Sequence, residues 1–322
     1  MTPETDAMAK ADARSRPRQT FRRAVHRNLT EGGGFIFLML LPALLVVGAV
    51  IGVPMLRALE MSFNSIDFRR PAMAGTYGFH NYVRLFEDPD SWSAVILSAI
   101  YMFGTVVGSV ALALSAALLT RRIVRFRAFW RVTFLLPWTV PAVVAALVWG
   151  VMYDGNFGII NRLLDHVPFV TGANWLINRE TAFPALIVAQ VWNEFPVAFI
   201  FILAGLHAIP EELYEAARID RARAFQQFWH ITLPQLRFIL AVVVVLLMIM
   251  GFKSFPIIYI LTGGGPAGAT ETLTVLTYNT AFRGLNFSYA ATLGILAVIV
   301  SIILVLGYLR LVARLQDERG GQ

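Results

Sequence analysis

The residue types that carry out catalysis occur in this sequence, but their spacing builds no catalytic or metal site. The five histidines are scattered, cysteine is absent, and neither a Ser-His-Asp set nor paired carboxylates can be picked out. The glycine run at 263–265 lacks the lysine and Ser/Thr of a phosphate-binding loop, and no other segment has them. We therefore expect that this chain is not an enzyme, hydrolyses no ATP, and holds no metal or cofactor of its own.

A few polar side chains instead interrupt segments that are otherwise apolar. Gln190, Asn193 and Glu194 form one stripe, because residues three and four apart share a helix face. A carboxylate at membrane depth costs about 2.5–3.5 kcal/mol on insertion scales, so Glu194 should face protein or a water-filled cavity. Lys253 interrupts a second apolar stretch and must either snorkel to an interface or face water.

The elements that carry these groups are predicted to be membrane spans. The chain of 322 residues is 57% apolar and 15% charged, whereas a soluble domain is about a quarter charged. A bilayer core requires about 20 apolar residues in a helix. Six stretches meet this requirement: Gly32–Leu56, Ser91–Thr120, Val132–Tyr153, Thr181–Pro210, Phe238–Leu261 and the segment between Arg283 and Arg310.

The distribution of basic residues predicts the orientation of the spans. With the N-terminus inside, the inner segments hold 19 lysines and arginines and the outer segments hold 8. The segment 121–131 contributes five arginines and no acid. The positive-inside rule therefore places both termini in the cytoplasm. The predicted organisation is a basic tail (1–33), the first span with its outer loop (34–91), a core (92–310) and a C-terminal tail (311–322).

The inner segment 211–234 has the pattern of two short amphipathic helices. Pro210, Glu211 and Glu212 make a good helix start, because acidic residues stabilise the positive N-terminal end of a helix. Pro234 then marks the entry to the fifth span. On physical grounds alone, two interpretations stay open: a helix pair that only packs on lipid headgroups, or a docking surface for a partner protein.

This segment resembles the EAA loop of binding-protein-dependent ABC importer permeases. The family pattern is Glu-Ala-Ala, three residues, Gly, nine residues, then Ile, any residue, Leu-Pro, and its spacing is intact here. Arg221 stands where the family usually has glycine, at a turn that would need a positive φ, and a non-glycine residue there costs about 1 kcal/mol. The resemblance implies that the loop couples to an ATPase through Glu215, Ala216, Ala217, Asp220, Arg221, Ile231, Leu233 and Pro234.

Other segments resemble the sugar-uptake branch of this family. The matching positions are Gly78, Asn81 and Tyr82, then Leu136, Pro137, Trp138, Pro141, Trp149, Gly158, Asn161 and Leu164, then Thr262–Pro266 with Thr270–Thr272. The last of these segments, the outer loop after the fifth span, is similar to that of the first permease in a maltose- or glycerol-phosphate-type pair. The implied fold is an all-α integral membrane protein, a type I ABC importer transmembrane domain with six spans and a cytoplasmic EAA loop.

The resemblance also implies the partners and the place of action. We expect a heterodimer with a second permease, two copies of an ATPase that binds ATP and Mg²⁺, and an extracytoplasmic solute-binding protein. The expected location is the bacterial inner membrane, with no nucleic-acid partner. A secondary transporter is the alternative, which the EAA loop disfavours, and the sequence shows neither repeated halves nor several intramembrane ionisable groups.

Two interpretations of the intramembrane polar groups remain open. Gln190, Asn193 and Glu194 either bind solute hydroxyls or make a structural contact with the partner permease. Lys253 either contacts an anionic solute or is a snorkelling end residue. The identity of the sugar is not encoded in any feature described above.

Overall fold

The computed structural model describes residues 33–65, 78–122, 126–164 and 174–320, and every regular element within these residues is helical. The α-helices are α1 (Gly33–Val47), α2 (Val53–Ser62), α3 (His80–Glu87), α4 (Pro89–Arg122), α5 (Arg127–Thr139), α6 (Ala142–Met152), α7 (Ile159–Leu164), α8 (Arg179–His207), α9 (Glu211–Ile219), α10 (Ala224–Gln227), α11 (Leu233–Phe252), α12 (Pro256–Leu261), α13 (Leu273–Tyr278) and α14 (Phe287–Gly320). Turns of π-helix occupy Gly48–Gly52, Phe228–Thr232 and Asn279–Arg283.

The all-helical membrane fold expected from the sequence is confirmed. Within the described residues, five helices are long and apolar enough to cross a membrane: Ile36–Ser62, Pro89–Arg121, Arg179–His207, Ala224–Phe252 and Phe287–Tyr308. A sixth span results if the bent pair Ala128–Thr139 and Ala142–Met152 counts as one. The predicted basic tail lies outside the described residues, apart from its last position, as does much of the first outer loop.

The third predicted span is broken rather than straight. Its two halves, α5 and α6, meet at an angle of 98°. Pro141 has no N–H to continue the helix, and it pushes Val140 into the extended conformation (φ −82°, ψ 121°). An apolar stretch of the right length therefore contains a sharp bend that hydropathy does not reveal.

The fifth predicted span is wrong at both ends. The helix starts at Ala224 rather than Phe238 and ends at Phe252, while Leu261 belongs to the separate helix α12. Pro234 was expected at the entry to the span, but it lies inside the helix, which passes it through the π turn Phe228–Thr232, where Leu233 N donates to Phe228 O. A π turn widens the helix just before the residue that cannot donate, which lets the proline ring fit.

A π turn also precedes a proline in the first span. The chain divides into two compact units, Met1–Glu60 and Met61–Gln322, and the π turn Gly48–Gly52 belongs to the first of them. Val53 N donates to Gly48 O, and Pro54 follows directly. In both places the five-residue turn ends two positions before a proline.

The core of the second unit is built by α4, α8 and α11. Small residues allow these helices to approach closely. A Cβ on Gly108 of α4 would lie 2.6 Å from Val191 of α8, and a Cβ on Gly205 of α8 would lie 2.8 Å from Leu236 of α11. Membrane helices associate through such close packing, because lipid offers no hydrophobic drive for helices to meet. The buried core includes Phe199, Ile202, Leu206, Leu236, Val243 and Leu247.

Asp88 connects the start of α4 to the start of α14. Asp88 precedes Pro89, the favoured first residue of a helix, and its carboxylate accepts from Asp90 N at 3.3 Å. The same carboxylate accepts from the Ser91 hydroxyl at 2.8 Å and from the Tyr289 hydroxyl at 2.7 Å. Burial alone would raise the pKa of Asp88, but the hydrogen bonds from Tyr289, Ser91 and Asp90, with the Arg84 charge, bring it below its ordinary 3.8.

Candidate coupling loop and solute path

Helix α9 begins as the sequence predicts. Pro210 lies at its N-cap position in an extended conformation (ψ 133°), and Glu211 and Glu212 lie in the first turn. Tyr214 is the buried residue of this helix, whereas Glu215 and Ala216 are exposed. The short helix therefore has one anchored side and one free side, as an amphipathic surface helix should.

Arg221 ends this helix in the conformation that the glycine of the family pattern would favour. Its φ is +57°, the positive value that glycine at this position would allow. Ala222 N donates to Ala217 O at 2.8 Å, and Arg221 N donates to Arg218 O at 3.1 Å. These two bonds form a Schellman motif, which satisfies carbonyls that the end of a helix leaves open. An L-residue carries steric strain there that glycine would not.

The second half of the loop is not a separate short helix, which corrects the expectation. Helix α10 continues through the π turn Phe228–Thr232 into α11, so the segment after Arg221 is the beginning of the fifth span itself. Ile231 and Leu233 are half-buried and Pro234 is exposed. Any displacement of the loop after the turn is therefore a displacement of a membrane span.

A set of side chains, the Glu211 cluster (Glu211, Arg121, Arg218, Tyr214 and Thr232), fixes α9 to two long helices. Glu211 lies 2.8 Å from Arg121, near the end of α4, and 2.8 Å from Arg218 on α9. The Arg121 guanidinium lies 4.2 Å from the centroid of the Tyr214 ring, a cation–π contact. The Tyr214 hydroxyl is 2.9 Å from the Thr232 hydroxyl, in the π turn before α11.

A cavity of about 1070 Å³ opens beside this cluster. It lies between the ends of α4 and α8 and the start of the fifth span, and its lining includes Arg121, His207, Tyr214, Phe225 and Phe228. Large apolar side chains stand exposed on the same loop: Ile219 is 82% exposed and Phe225 is 72% exposed. On an amphipathic segment at the membrane surface, such side chains can contact either lipid or a partner protein.

The predicted polar stripe of α8 lies inside a buried hydrogen-bond network. Gln190 and Glu194 are buried, and Gln190 Nε2 donates to Glu194 Oε1 at 2.6 Å. Gln190 Oε1 accepts from the Tyr101 hydroxyl of α4 at 3.1 Å and from the Ser254 hydroxyl at 3.0 Å. Glu194 Oε2 is buried and has no hydrogen-bond partner among the described residues. The network thus leaves one strong acceptor unsatisfied.

Asn193 has a different neighbourhood from Gln190 and Glu194. Its Nδ2 donates to Pro137 O at 3.2 Å and to Val140 O at 3.4 Å. Pro137 O is the carbonyl that residue 141 would bond in an unbroken helix, but Pro141 has no N–H. Asn193 therefore supports the bend between α5 and α6. The sequence places Asn193 on the stripe, and the signal for this second role, a proline four residues after Pro137, was missed.

Lys253 lies at the end of α11, in the short break before α12, and its side chain is exposed. Its neighbour Ser254 is buried and bonds Gln190. Neither Ser254 nor Tyr101 was predicted from the sequence, since they lie 64 and 89 residues from Gln190. Within the described residues, no group of three His, Cys, Asp or Glu could hold a metal ion.

Comparison with known proteins identifies the family. Residues 109–317 match the family described as "Binding-protein-dependent transport system inner membrane component". The chain belongs to this family. It is therefore an inner-membrane permease component of a binding-protein-dependent ABC importer, as the sequence analysis expected. The residues assigned to coupling and to the solute path stay predictions.

Two relatives of this permease carry names that state a solute. The chain is 34% identical over 277 residues to the trehalose/maltose transport system permease protein MalF of Thermococcus litoralis, covering 85% of this chain and 92% of the relative. It is 30% identical over 308 residues to the sulfoquinovosyl glycerol transport system permease protein SmoG of Agrobacterium fabrum, covering 95% and 97%.

A solved structure has the same fold as this permease. A chain of a bacterial ABC transporter involved in the import of the acidic polysaccharide alginate superposes with a TM-score of 0.74 at 21% identity. The match covers 92% of the permease and 99% of that chain. The fold is that of a type I ABC importer transmembrane domain, as predicted.

Proposed function

We propose that this permease carries a sugar or sugar-like solute across the inner membrane, driven by ATP that is hydrolysed on separate subunits. The proposed complex contains a second permease, two ATPase subunits that bind ATP and Mg²⁺, and an extracytoplasmic solute-binding protein. The proposal for the solute rests on relatives named for trehalose/maltose and for sulfoquinovosyl glycerol, which are similar to this chain over 85% and 95% of its length.

The observation that carries the proposed coupling is the continuity of the loop with a membrane span. Helix α9 presents Glu215 and Ala216 to solvent, turns at Arg221, and is followed by one helix from Ala224 to Phe252. A protein that docks on α9 therefore acts on a rigid element that crosses the membrane.

The Glu211 cluster supports a mechanical role for α9. The buried Tyr214–Thr232 hydrogen bond ties α9 to the π turn at the base of α11, and Arg121 ties it to the end of α4. We assign Glu215, Ala216, Ala217, Asp220 and Arg221 to the ATPase contact. The residues Ile231, Leu233 and Pro234 carry the motion into the span.

The proposed solute path passes the buried network of α8. In this proposal, a rearrangement during transport opens the path to the buried Glu194 Oε2, which is unsatisfied among the described residues, so that it accepts from a donor such as a sugar hydroxyl while Gln190 orients the carboxylate. Asn193 is placed beside the bend of α5 and α6, and Lys253 stands exposed at the end of α11. A donor from the partner permease would satisfy Glu194 equally well, so the test must separate binding from assembly.

Reconstitution tests the proposed function. The complete importer in liposomes should take up one of a panel of labelled sugars, only with ATP on the ATPase side and with its binding protein on the opposite side. The cytoplasmic orientation of both termini is tested in the same vesicles by protease access to tags. Sugar uptake driven by an ion gradient without ATP would contradict the proposal and favour a secondary transporter.

A further inference from the structure

Four aromatic rings form a continuous ladder beside the polar network. The ladder consists of Phe255, Tyr259, Tyr278 and Phe282, which lie on or beside α12, α13 and the π turn Asn279–Arg283. Phe255 and Tyr259 are stacked with centroids 4.9 Å apart and planes at 19°. Tyr278 lies 5.0 Å from Phe255, 4.7 Å from Tyr259 and 4.7 Å from Phe282.

The ladder is not an ordinary part of the core. Phe255, Tyr259 and Tyr278 are only half-buried, and Phe282 is 60% exposed. The rings support one another in a fixed arrangement, so their exposed surfaces are held in place before any ligand arrives. Preorganised rings lose little conformational entropy when they bind.

The inner end of the ladder is joined to the buried network through the chain itself. Ser254 immediately precedes Phe255 and donates to Gln190 Oε1 at 3.0 Å. The Thr274 hydroxyl, just before Tyr278 on the same short helix, donates to Ser254 O at 2.8 Å and fixes this junction. The rings therefore continue from the network that holds Glu194.

Polar groups follow the edge of the ladder. The Arg283 guanidinium lies 5.4 Å from the Tyr259 centroid, and its Nη2 donates to the Tyr259 hydroxyl at 3.4 Å. Ring faces with hydrogen-bonding groups at their edge match a pyranose, which has C–H groups on its faces and hydroxyls around its rim.

We propose that this ladder is a stacking site for the pyranose ring of the transported solute, on the way to Gln190 and Glu194. The proposal rests on the proposed import of a sugar-like solute and adds the surface that recognises it. Phe282 is the most exposed of the four rings, and it also contacts Phe287, with ring centroids 6.0 Å apart. A role as part of an aromatic belt at the membrane interface, or as a contact for the partner permease, predicts different behaviour of this ring.

The absence of cysteine makes the test direct. Phe282→Cys is introduced, the complete importer is assembled in liposomes, and modification of this chain by a water-soluble maleimide is followed by mass spectrometry. The probes are maltose, trehalose and galacturonate, each supplied with the binding protein. The matched control is Phe157→Cys, at a phenylalanine that is 59% exposed and is not part of the ladder.

If the ladder binds sugar, the transported sugar still stacks on the three rings that remain in the cysteine variant, slows labelling at 282 by roughly two- to tenfold, the range of an aromatic contact, and leaves labelling at 157 unchanged. Phe282→Tyr then retains uptake, whereas Phe282→Leu loses it to a similar degree, because leucine keeps the apolar bulk but not the ring face. Equal labelling with and without sugar, in an importer that takes up that sugar, refutes the ladder as a sugar-binding site and leaves the proposed function intact.

Two further outcomes also decide against the ladder. If the Phe282→Cys chain is labelled as a free subunit but not in the assembled importer, the partner permease covers this ring. If the wild-type importer takes up none of the sugars, the proposed solute class fails together with the site.

Discussion

The hydrogen bond between Tyr214 and Thr232 should determine how tightly α9 is coupled to the fifth span. Both residues are buried, at 7% and 4% exposure, and their hydroxyls are 2.9 Å apart. The change Tyr214→Phe removes one hydroxyl and keeps the ring under Arg121. Thr232 retains a long contact to Gln227 O at 3.4 Å, so the expected cost is at the lower end of a buried hydrogen bond, about 1 kcal/mol.

A cost of about 1 kcal/mol corresponds to a roughly fivefold change in the equilibrium between two states, in which α9 is attached to the fifth span or detached from it. The assay measures sugar uptake and ATP hydrolysis in the same liposomes. We expect Tyr214→Phe to lower the number of solute molecules imported per ATP, with the complex still assembled. Hydrogen exchange of residues 211–219 should become faster in the same variant.

The ion pairs of the cluster serve as the matched comparison. Glu211 is 60% exposed and Arg218 is 58% exposed, and such pairs are worth about 0–1 kcal/mol. Arg218→Gln should therefore uncouple less than Tyr214→Phe. Adding Thr232→Val to Tyr214→Phe should cause little further loss, because both changes remove the same bond. The assigned role of the bond is wrong if Tyr214→Phe imports with wild-type efficiency, or if Arg218→Gln uncouples more.

Five other substitutions test the candidate coupling loop, the proposed solute path and the Asp88 contact at the start of α4. Glu215→Lys or Ala217→Trp should abolish uptake and solute-stimulated ATP hydrolysis while the chain still inserts, and full uptake in either variant contradicts docking at α9. Glu194→Gln should lower uptake while assembly and basal hydrolysis persist, and wild-type uptake would make this residue structural. Arg221→Gly should raise thermal stability by at most about 1 kcal/mol, since relief of the φ +57° strain is offset by a more flexible unfolded chain; a lower stability would show that the arginine side chain stabilises the turn. Because the pKa of Asp88 in the folded protein is below 3.8, the stability that its carboxylate contributes is present above that pH and is lost as the pH falls further. The melting temperatures at pH 5 and pH 3 should therefore differ more in the wild type than in Asp88→Asn. An equal difference in the two proteins would contradict the stabilising role of this carboxylate.

In the candidate coupling loop, short-range sequence patterns predicted the start of α9 and the position of the turn that follows it. Glu211 and Glu212 mark the start of α9, and the family spacing places the turn at Arg221, where φ is indeed positive. Both features depend on residues within a few positions of one another. Hydropathy likewise found the spans, because burial in lipid constrains each helix separately.

Two prolines in predicted spans have different outcomes that the sequence pattern does not distinguish. Pro141 bends the third span by 98°, whereas Pro234 lies in a continuous helix preceded by a π turn. The backbone donor is missing in both cases, so the difference comes from the neighbours. Asn193 of α8 donates to Pro137 O and Val140 O at the first break, and this contact spans more than 50 residues. No pattern along one helix contains that information.

The coupling loop and the buried network are attached to opposite ends of the same helix. Helix α11 has 20 residues, a length of about 30 Å. Its beginning is tied to α9 through Thr232, and just beyond its end Ser254 bonds Gln190. The network also includes Tyr101 of α4. Near the C-terminal end of α4, Arg121 forms an ion pair with Glu211. A force applied to α9 would therefore reach the Gln190 side chain along both α4 and α11. A relative movement of these two helices would change the hydrogen-bond donors available to Gln190. Because Gln190 in turn holds Glu194, this geometry connects the proposed docking site on α9 to the one buried carboxylate oxygen that is unsatisfied among the described side chains.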